Sequence, residues 1–223
     1  MDLFDIVGPI MVGPSSSHTA GAVKIGSISR KLLGEDVVKA DIYFHGSFHA
    51  TGKGHGTDKA IVAGLLGLGV DDVNIPNSFE FARQRGLDFK ITGVDLGDVH
   101  PNTVKLILKG KSGKSLEIVA SSVGGGRIQV CEIDGLCAKF SGDYPTLIVH
   151  NHDEPGHVSK VTALLSEMKV NIATMQLYRS GRGGNAVMVI ECDQEVPTED
   201  IKCLEALEGI VKVTYLSLEE KNV

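Results

Sequence analysis

The sequence lacks the features that mark exported, membrane-spanning or nucleic-acid-binding proteins. No apolar run approaches the roughly 20 residues that a membrane helix needs. The N-terminal stretch Met1 to Gly13 carries Asp2 and Asp5 but no basic residue, which is not typical of a signal peptide. The 223 residues carry a net charge of −6 and the lysines and arginines are scattered, so neither a nucleic acid nor an anionic membrane is an expected partner. A cytoplasmic protein is therefore the expectation.

Cysteine is also scarce. The four cysteines are Cys131, Cys137, Cys192 and Cys203, and no two of them form a C-x-x-C pair. Without an export signal, a disulfide framework is not expected, and reduced, mostly buried thiols are the simplest interpretation.

The length and the local patterns favour two domains. The turn-rich stretch Ser141-Gly142-Asp143-Tyr144-Pro145 separates a first domain, residues 1–142, from a second, residues 146–223. The first domain is predicted to be α+β, with helices over 15–33, 57–68 and 77–85 and strands over 37–44, 103–108, 116–122 and 128–133. The second runs strand, helix, strand, strand, helix, strand, which is the βαββαβ order of ferredoxin-like folds.

A first motif, Gly13-Pro14-Ser15-Ser16-Ser17-His18-Thr19, stands just before a predicted helix. A helix N-terminus has unpaired N–H groups and a partial positive charge, so a carboxylate would bind well there. One serine is explained by helix capping alone. Three serines followed by His-Thr exceed what a single cap requires.

A second motif runs from His45 to Asp58 with the sequence HGSFHATGKGHGTD. Its four glycines predict a loop that can approach a ligand closely. Three histidines, a lysine and an aspartate in this stretch indicate a site for proton transfer or metal binding, because histidine titrates near neutrality.

Together with Ser122-Val123-Gly124-Gly125-Gly126, these two motifs resemble the β subunit of bacterial iron–sulfur L-serine dehydratases. The resemblance implies a first domain similar to the allosteric substrate-binding domain of some D-3-phosphoglycerate dehydrogenases. In the second domain, the turn from Asn151 to Gly156 is similar to the ligand turn of ACT domains, where a helix N-terminus can hold a carboxylate. An ACT domain implies self-association.

Such an enzyme removes water from L-serine, and the resulting aminoacrylate gives pyruvate and ammonia. The resemblance implies a [4Fe–4S] cluster with one open iron that acts as a Lewis acid on the substrate. The cysteine spacings here do not indicate a cluster, and in the family the ligating cysteines belong to a partner α chain. No metal ligands are expected in this chain.

The residues that follow are our candidates for the site. His55, or less favourably His49, is the expected general base. His18 is a further catalytic candidate that is expected to help grip the substrate, and Lys53 adds positive charge. The expected substrate-binding residues are Ser15, Ser16, Ser17, Thr19, Thr57, Asp58 and Gly125. The expected effector-binding residues of the ACT domain are Asn151, Asp153, Pro155 and Gly156.

Three other interpretations compete with this one. A pyridoxal-phosphate enzyme would need a phosphate cradle around its lysine, and Lys53 between two glycines imitates one weakly. A mononuclear metal hydrolase could use His45, His49 and His55, but the glycines make a helix with ligand spacing improbable. The third alternative is a purely regulatory subunit that senses serine and modulates another polypeptide.

Overall fold

The computed structural model of the chain describes residues 10–218, which divide into two compact units at Gly135 and Leu136. The N-terminal stretch expected not to be a signal peptide lies largely outside the described residues. Both units combine helices with a sheet, so the α+β class is confirmed. The domain bounds expected from the sequence, residues 1–142 and 146–223, stay a prediction, because they concern which parts of the chain fold independently.

The first unit begins with a π-helical turn, Ser16–Ala20, that runs directly into a long helix. Its helices are α1 (Gly21–Leu33), α2 (Gly46–His55), α3 (Thr57–Leu65) and α4 (Ser78–Gln84). Its strands are β1 (Val37–Phe44), β2 (Asp88–Gly93), β3 (Thr103–Gly110), β4 (Ser115–Gly124) and β5 (Arg127–Ile133). They lie in the order β2-β1-β3-β4-β5, with β1 and β2 parallel and the other neighbours antiparallel.

Helices α1 and α3 cross at very short range because both carry a glycine at the crossing. A Cβ atom on Gly64 would lie 2.1 Å from the carbonyl oxygen of Val23, and one on Gly26 would lie 2.4 Å from that of Ile61. Helix α1 also packs on the sheet, where Ile25, Ile28 and Leu32 are buried. This close crossing fixes α1 against α3, and each of these helices directly follows a segment that carries candidate site residues.

The predicted loop at residues 45–58 is wrong, because most of it is helix α2. Gly46 enters the helix at φ 51°, and Gly56 ends it in the left-handed conformation at φ 66°. Between them, Phe48 is fully buried and contacts the ring of Phe44. Tertiary packing of this aromatic anchor outweighs the poor helix propensity of Gly52 and Gly54.

The described part of the second unit contains five strands and two helices if its first short strand is included. They are β6 (Leu136–Phe140), β7 (Thr146–His152), α5 (His157–Glu167), β8 (Ile172–Arg179), β9 (Asn185–Cys192), α6 (Thr198–Glu205) and β10 (Ile210–Leu216). After β6, this is the predicted βαββαβ order, and the strands lie in the antiparallel order β10-β7-β9-β8. Its core forms between helices and sheet around Val149, Leu165 and Ile190. Within residues 10–218, no helix is long and apolar enough to cross a bilayer.

Candidate active site

The serine-rich motif forms the π-helical turn at the start of α1. The N–H of His18 donates to Ser15 Oγ (3.1 Å) and the N–H of Thr19 donates to the Ser15 carbonyl (2.8 Å), so Ser15 is the cap. Gly13, at φ 130°, is required because a Cβ there would lie 2.5 Å from Thr19 Cγ2. Ser16 and Ser17 are half-buried on the same turn. The capping role predicted for one serine is thus filled by Ser15, and two further hydroxyls remain.

Two histidines from the two motifs lie side by side. The ring centroids of His18 and His55 are 4.8 Å apart, with the planes tilted by 39°. Thr19 Oγ1 donates to the carbonyl oxygen of His55 (3.1 Å), which ties the serine-rich turn to the end of α2. The Nδ1 atom of His55 is buried and finds no hydrogen-bond partner among the described residues. A buried nitrogen in that state leaves a polar group that a ligand can satisfy.

The environment of His18 favours the neutral imidazole. Partial burial lowers the pKa of His18 below its usual value, and the nearby His55 lowers it further, while a hydrogen bond to the backbone of Ser47 acts in the opposite direction. Two imidazolium rings this close would repel each other. At neutral pH, His18 is therefore able to accept a proton.

Two further residues join this site although neither was among the predicted site residues. Ser47 Oγ lies 3.0 Å from His18 Nε2. Ser122, at the end of β4, is fully buried against Gly21, where a Cβ atom would lie 2.1 Å from its Oγ. The Ser122 hydroxyl has no hydrogen-bond partner in the described part of the chain. The only sequence signal was that Ser47 lies in the second motif and that Ser122 begins the stretch Ser122 to Gly126.

The predicted residue Thr57 begins helix α3 immediately after Gly56. Its side chain is fully buried, and Oγ1 finds no hydrogen-bond partner within residues 10–218. Asp58 follows in the first turn and its Oδ1 accepts from the N–H of Lys59 (2.8 Å). The start of α3 thus offers one unsatisfied hydroxyl, two residues after His55 in the sequence.

Other predicted residues lie apart from the histidine pair. His49 is exposed, with its ring against Gly93, and His45 Nδ1 accepts from the N–H of Leu96 (3.1 Å). Lys53 is exposed on α2, and Gly125 lies in the exposed turn after β4 at φ 62°. The three histidines of the second motif therefore do not converge, although the helix that the metal-hydrolase alternative needed does form.

The cysteines do not fit an iron–sulfur cluster. Cys131 lies on β5 and Cys137 on β6, whereas Cys192 is buried on β9 and Cys203 is exposed on α6. A cluster needs three or four cysteines that converge in space. In the described part of the chain, no three His, Cys, Asp or Glu side chains are placed to hold a metal ion.

The predicted effector turn of the second unit is tied to the β8–β9 turn. Asp153 Oδ2 accepts from the N–H of Gly183 (3.0 Å) and from Arg179 (3.3 Å). Asn151 Oδ1 is buried and has no partner among the residues that the structure describes. Gly156, at φ 99°, is the N-cap residue of α5, which has no side-chain cap. Pro155 beside it is exposed.

Comparison with known proteins identifies both the second unit and the family of the whole chain. The second unit is an ACT domain, since the ACT domain family matches residues 145–209, and the family described as Serine dehydratase beta chain matches residues 1–85. The chain is 38% identical over 215 residues to the probable L-serine dehydratase, beta chain, of Bacillus subtilis (strain 168), covering 96% of this chain and 97% of that protein. It is 38% identical over 212 residues to the L-serine dehydratase, beta chain, of Peptoniphilus asaccharolyticus, covering 95% of this chain and 94% of that protein.

The chain therefore belongs to the family of L-serine dehydratase beta chains, as the motifs indicated. It is also 29% identical to D-3-phosphoglycerate dehydrogenase of Bacillus subtilis (strain 168), over 88% of this chain and 37% of that protein. The expected relationship to a part of that dehydrogenase is thus confirmed.

Proposed function

We propose that this chain is the beta subunit of an L-serine dehydratase that converts L-serine to pyruvate and ammonia in the cytoplasm and is active only with an alpha subunit. The observation that carries the proposal is the pairing of His18 with His55 in a chain of this family. Dehydration requires removal of a weakly acidic α-proton, and a neutral imidazole is a suitable acceptor for it.

In this proposal, His55 removes the α-proton and His18 assists beside it. The unsatisfied Nδ1 of His55 supports this choice, since a reacting substrate would supply the partner that the resting chain lacks. His49 is the weaker candidate because its exposed ring lies against Gly93. Lys53 adds a positive charge that attracts the substrate carboxylate.

The substrate's polar groups are proposed to bind at the two helix starts. The hydroxyls of Ser16 and Ser17 would hold the carboxylate, with Ser15 maintaining the turn as its cap. Thr19, predicted as a third binding residue, would support the site by donating its hydroxyl hydrogen to the His55 carbonyl. At the start of α3, the buried hydroxyl of Thr57 and the carboxylate of Asp58 would face the ammonium side. At the exposed turn around Gly125, the backbone of the chain would approach the substrate closely, because glycine has no side chain.

The iron–sulfur cluster is proposed to belong to the alpha subunit, because the cysteines described above do not fit one. When bound there, a [4Fe–4S] cluster supplies a Lewis acid for the leaving hydroxyl. The residues of this chain bind and orient the substrate and move its proton. The ACT domain is proposed to associate with a second copy and to hold an effector at Asn151, Asp153, Pro155 and Gly156.

The test is anaerobic co-expression with the alpha subunit, followed by iron counting and measurement of pyruvate released from L-serine. His55→Ala should lower kcat by roughly 10²–10⁴-fold, the usual cost of a lost acid–base group. Lys202→Ala, at an exposed position of α6, is the control and should leave turnover unchanged. Near-normal kcat in His55→Ala would refute the base assignment, and full activity of the isolated chain without iron would refute the proposal itself.

A second candidate is a purely regulatory subunit that senses serine without touching the chemistry. The ACT domain and the similarity to part of a D-3-phosphoglycerate dehydrogenase favour it. Calorimetry of L-serine with the isolated chain, combined with rates for Ser16→Ala in the assembled enzyme, separates the two functions. Unchanged basal turnover with lost activation by serine would favour regulation over catalysis.

A further inference from the structure

We propose that Ser47 is a positioning residue, whose hydroxyl orients the His18 ring and selects which of its nitrogens carries the proton. Ser47 and His18 are 29 residues apart in sequence, and their side chains meet at 3.0 Å. The effect on turnover rests on the proposed function, whereas the effect on His18 is a property of the chain itself.

The position of Ser47 is fixed by the backbone around it. Its N–H donates to the carbonyl oxygen of Pro101 (2.8 Å) from the first turn of α2. Gly46 makes this approach possible, because a Cβ there would lie 2.7 Å from the same oxygen and its φ of 51° is unfavourable for other residues. The hydroxyl is therefore presented from a rigid point rather than from a freely moving loop.

The hydrogen bonds of Thr51 determine what the Ser47 hydroxyl can do. Thr51 Oγ1 donates its only hydrogen to the Ser47 carbonyl (2.9 Å), so in its 3.4 Å contact with Ser47 Oγ it can only accept. Ser47 thus has two acceptors for one hydrogen, Thr51 Oγ1 and His18 Nε2, and the His18 contact is shorter. When His18 is neutral, Ser47 donates to Nε2, and the ring proton is placed on Nδ1.

The same hydroxyl can also serve the protonated ring. If His18 gains a proton, Ser47 turns its hydrogen to Thr51 and accepts from Nε2–H. Hydrogen bonds to charged groups are the stronger ones, so this contact stabilises the protonated ring. The backbone of Ser47 acts in the same direction, since it raises the pKa of His18. Within the described residues, the titratable group facing His18 is His55, and the remaining ring neighbour is the apolar Phe48 at 5.4 Å.

A direct test is nitrogen-15 NMR of the histidine rings in the full chain. In the wild type, the neutral His18 should carry its proton on Nδ1. In Ser47→Ala this preference should be lost. The pKa of His18 should also fall, because the protonated ring loses the hydroxyl that accepts from its Nε2–H, whereas the backbone of Ser47, which raises this pKa, stays in place. An unchanged tautomer and an unchanged titration in Ser47→Ala would overturn the proposal.

A kinetic test uses the enzyme assembled with its alpha subunit. Loss of one such hydrogen bond should lower kcat roughly tenfold and leave KM within about twofold. The acidic limb of the pH–rate profile should move to lower pH, and Ser47→Thr, which keeps the hydroxyl, should restore most of the rate. If Ser47→Ala left both kcat and the acidic limb unchanged, the positioning role of Ser47 would be refuted. A lower kcat with an unmoved limb would also refute it, because a merely structural role would not shift the limb.

A matched control exists in the second unit. Thr162 Oγ1 donates to the carbonyl of Val158 four residues earlier (2.9 Å), as Thr51 does to Ser47, so Thr162→Val should change neither readout. If Ser47→Ala does not fold, Thr51→Val decides in its place and should lower the pKa of His18 by a smaller amount. If the assembled enzyme does not turn over serine, the proposed function fails, while the NMR result still decides the role of Ser47.

Discussion

Replacing Gly64 by alanine should destabilise the first unit, although alanine is the better helix former. The new Cβ would lie 2.1 Å from the Val23 carbonyl oxygen and 2.8 Å from the Ser27 nitrogen, and these backbone atoms cannot rotate away. Overpacking of this kind costs about 1–3 kcal/mol, and a rigid backbone contact lies at the upper end. The gain in helix propensity offsets about 1 kcal/mol. The expected net loss is about 2 kcal/mol.

Urea unfolding followed by circular dichroism measures this loss. At an m-value of roughly 2 kcal/mol/M, the midpoint of the first-unit transition should fall by roughly 1 M with little change in m. Gly54→Ala is the matched control, because that glycine is also inside a helix but a Cβ there meets nothing within 4 Å. It should raise the stability by about 0.5–1 kcal/mol. A Gly64→Ala protein as stable as the wild type would refute the close crossing of α1 and α3.

Two further predictions concern ionisable groups. Because the pKa of His18 is lowered in the folded chain, the native state binds fewer protons than the unfolded state below about pH 6.5. The free energy of unfolding should therefore fall as the pH drops through this window, and it should fall less in His18→Gln. Parallel plots of this free energy against pH for the two proteins would contradict the prediction. Burial, with Asp193 and Glu195 nearby, raises the pKa of the Cys192 thiol to about 11. A thiol reagent at pH 8 should modify the exposed Cys203 first, and mass spectrometry showing Cys192 labelled equally fast would contradict its burial.

Elements with a strong periodic pattern were predictable from the sequence. Strand β1 was predicted at residues 37–44 and is observed at Val37–Phe44, because its β-branched and aromatic residues alternate between core and surface. The ACT domain was equally accessible, since each of its strands and helices has its own pattern. Helix α2 was not, because its three glycines dominate the local signal while its stability comes from the buried ring of Phe48.

The site was predictable in its motifs but not in its contacts. His18 and His55 were both candidates, yet only the packing of the serine-rich turn against α2 shows that they are neighbours. Ser47 gave no signal beyond its place in the second motif, because a single serine next to a glycine is ordinary and its partner is distant in sequence. His49 and His55 separate because residues six positions apart lie about 120° apart around the axis of a helix, so only His55 reaches His18.

The bond from Ser47 to Pro101 also has a consequence for how the chain is made. Both imidazoles have been synthesised by residue 55, but the carbonyl that holds the start of α2 is added 46 residues later. At about 5–20 residues per second, the ribosome takes roughly 2–9 s to reach it. During that interval, the nascent polypeptide contains every atom of the histidine pair but not the support that aligns them. A truncated translation product ending before Pro101 should therefore be inert even if it remains soluble.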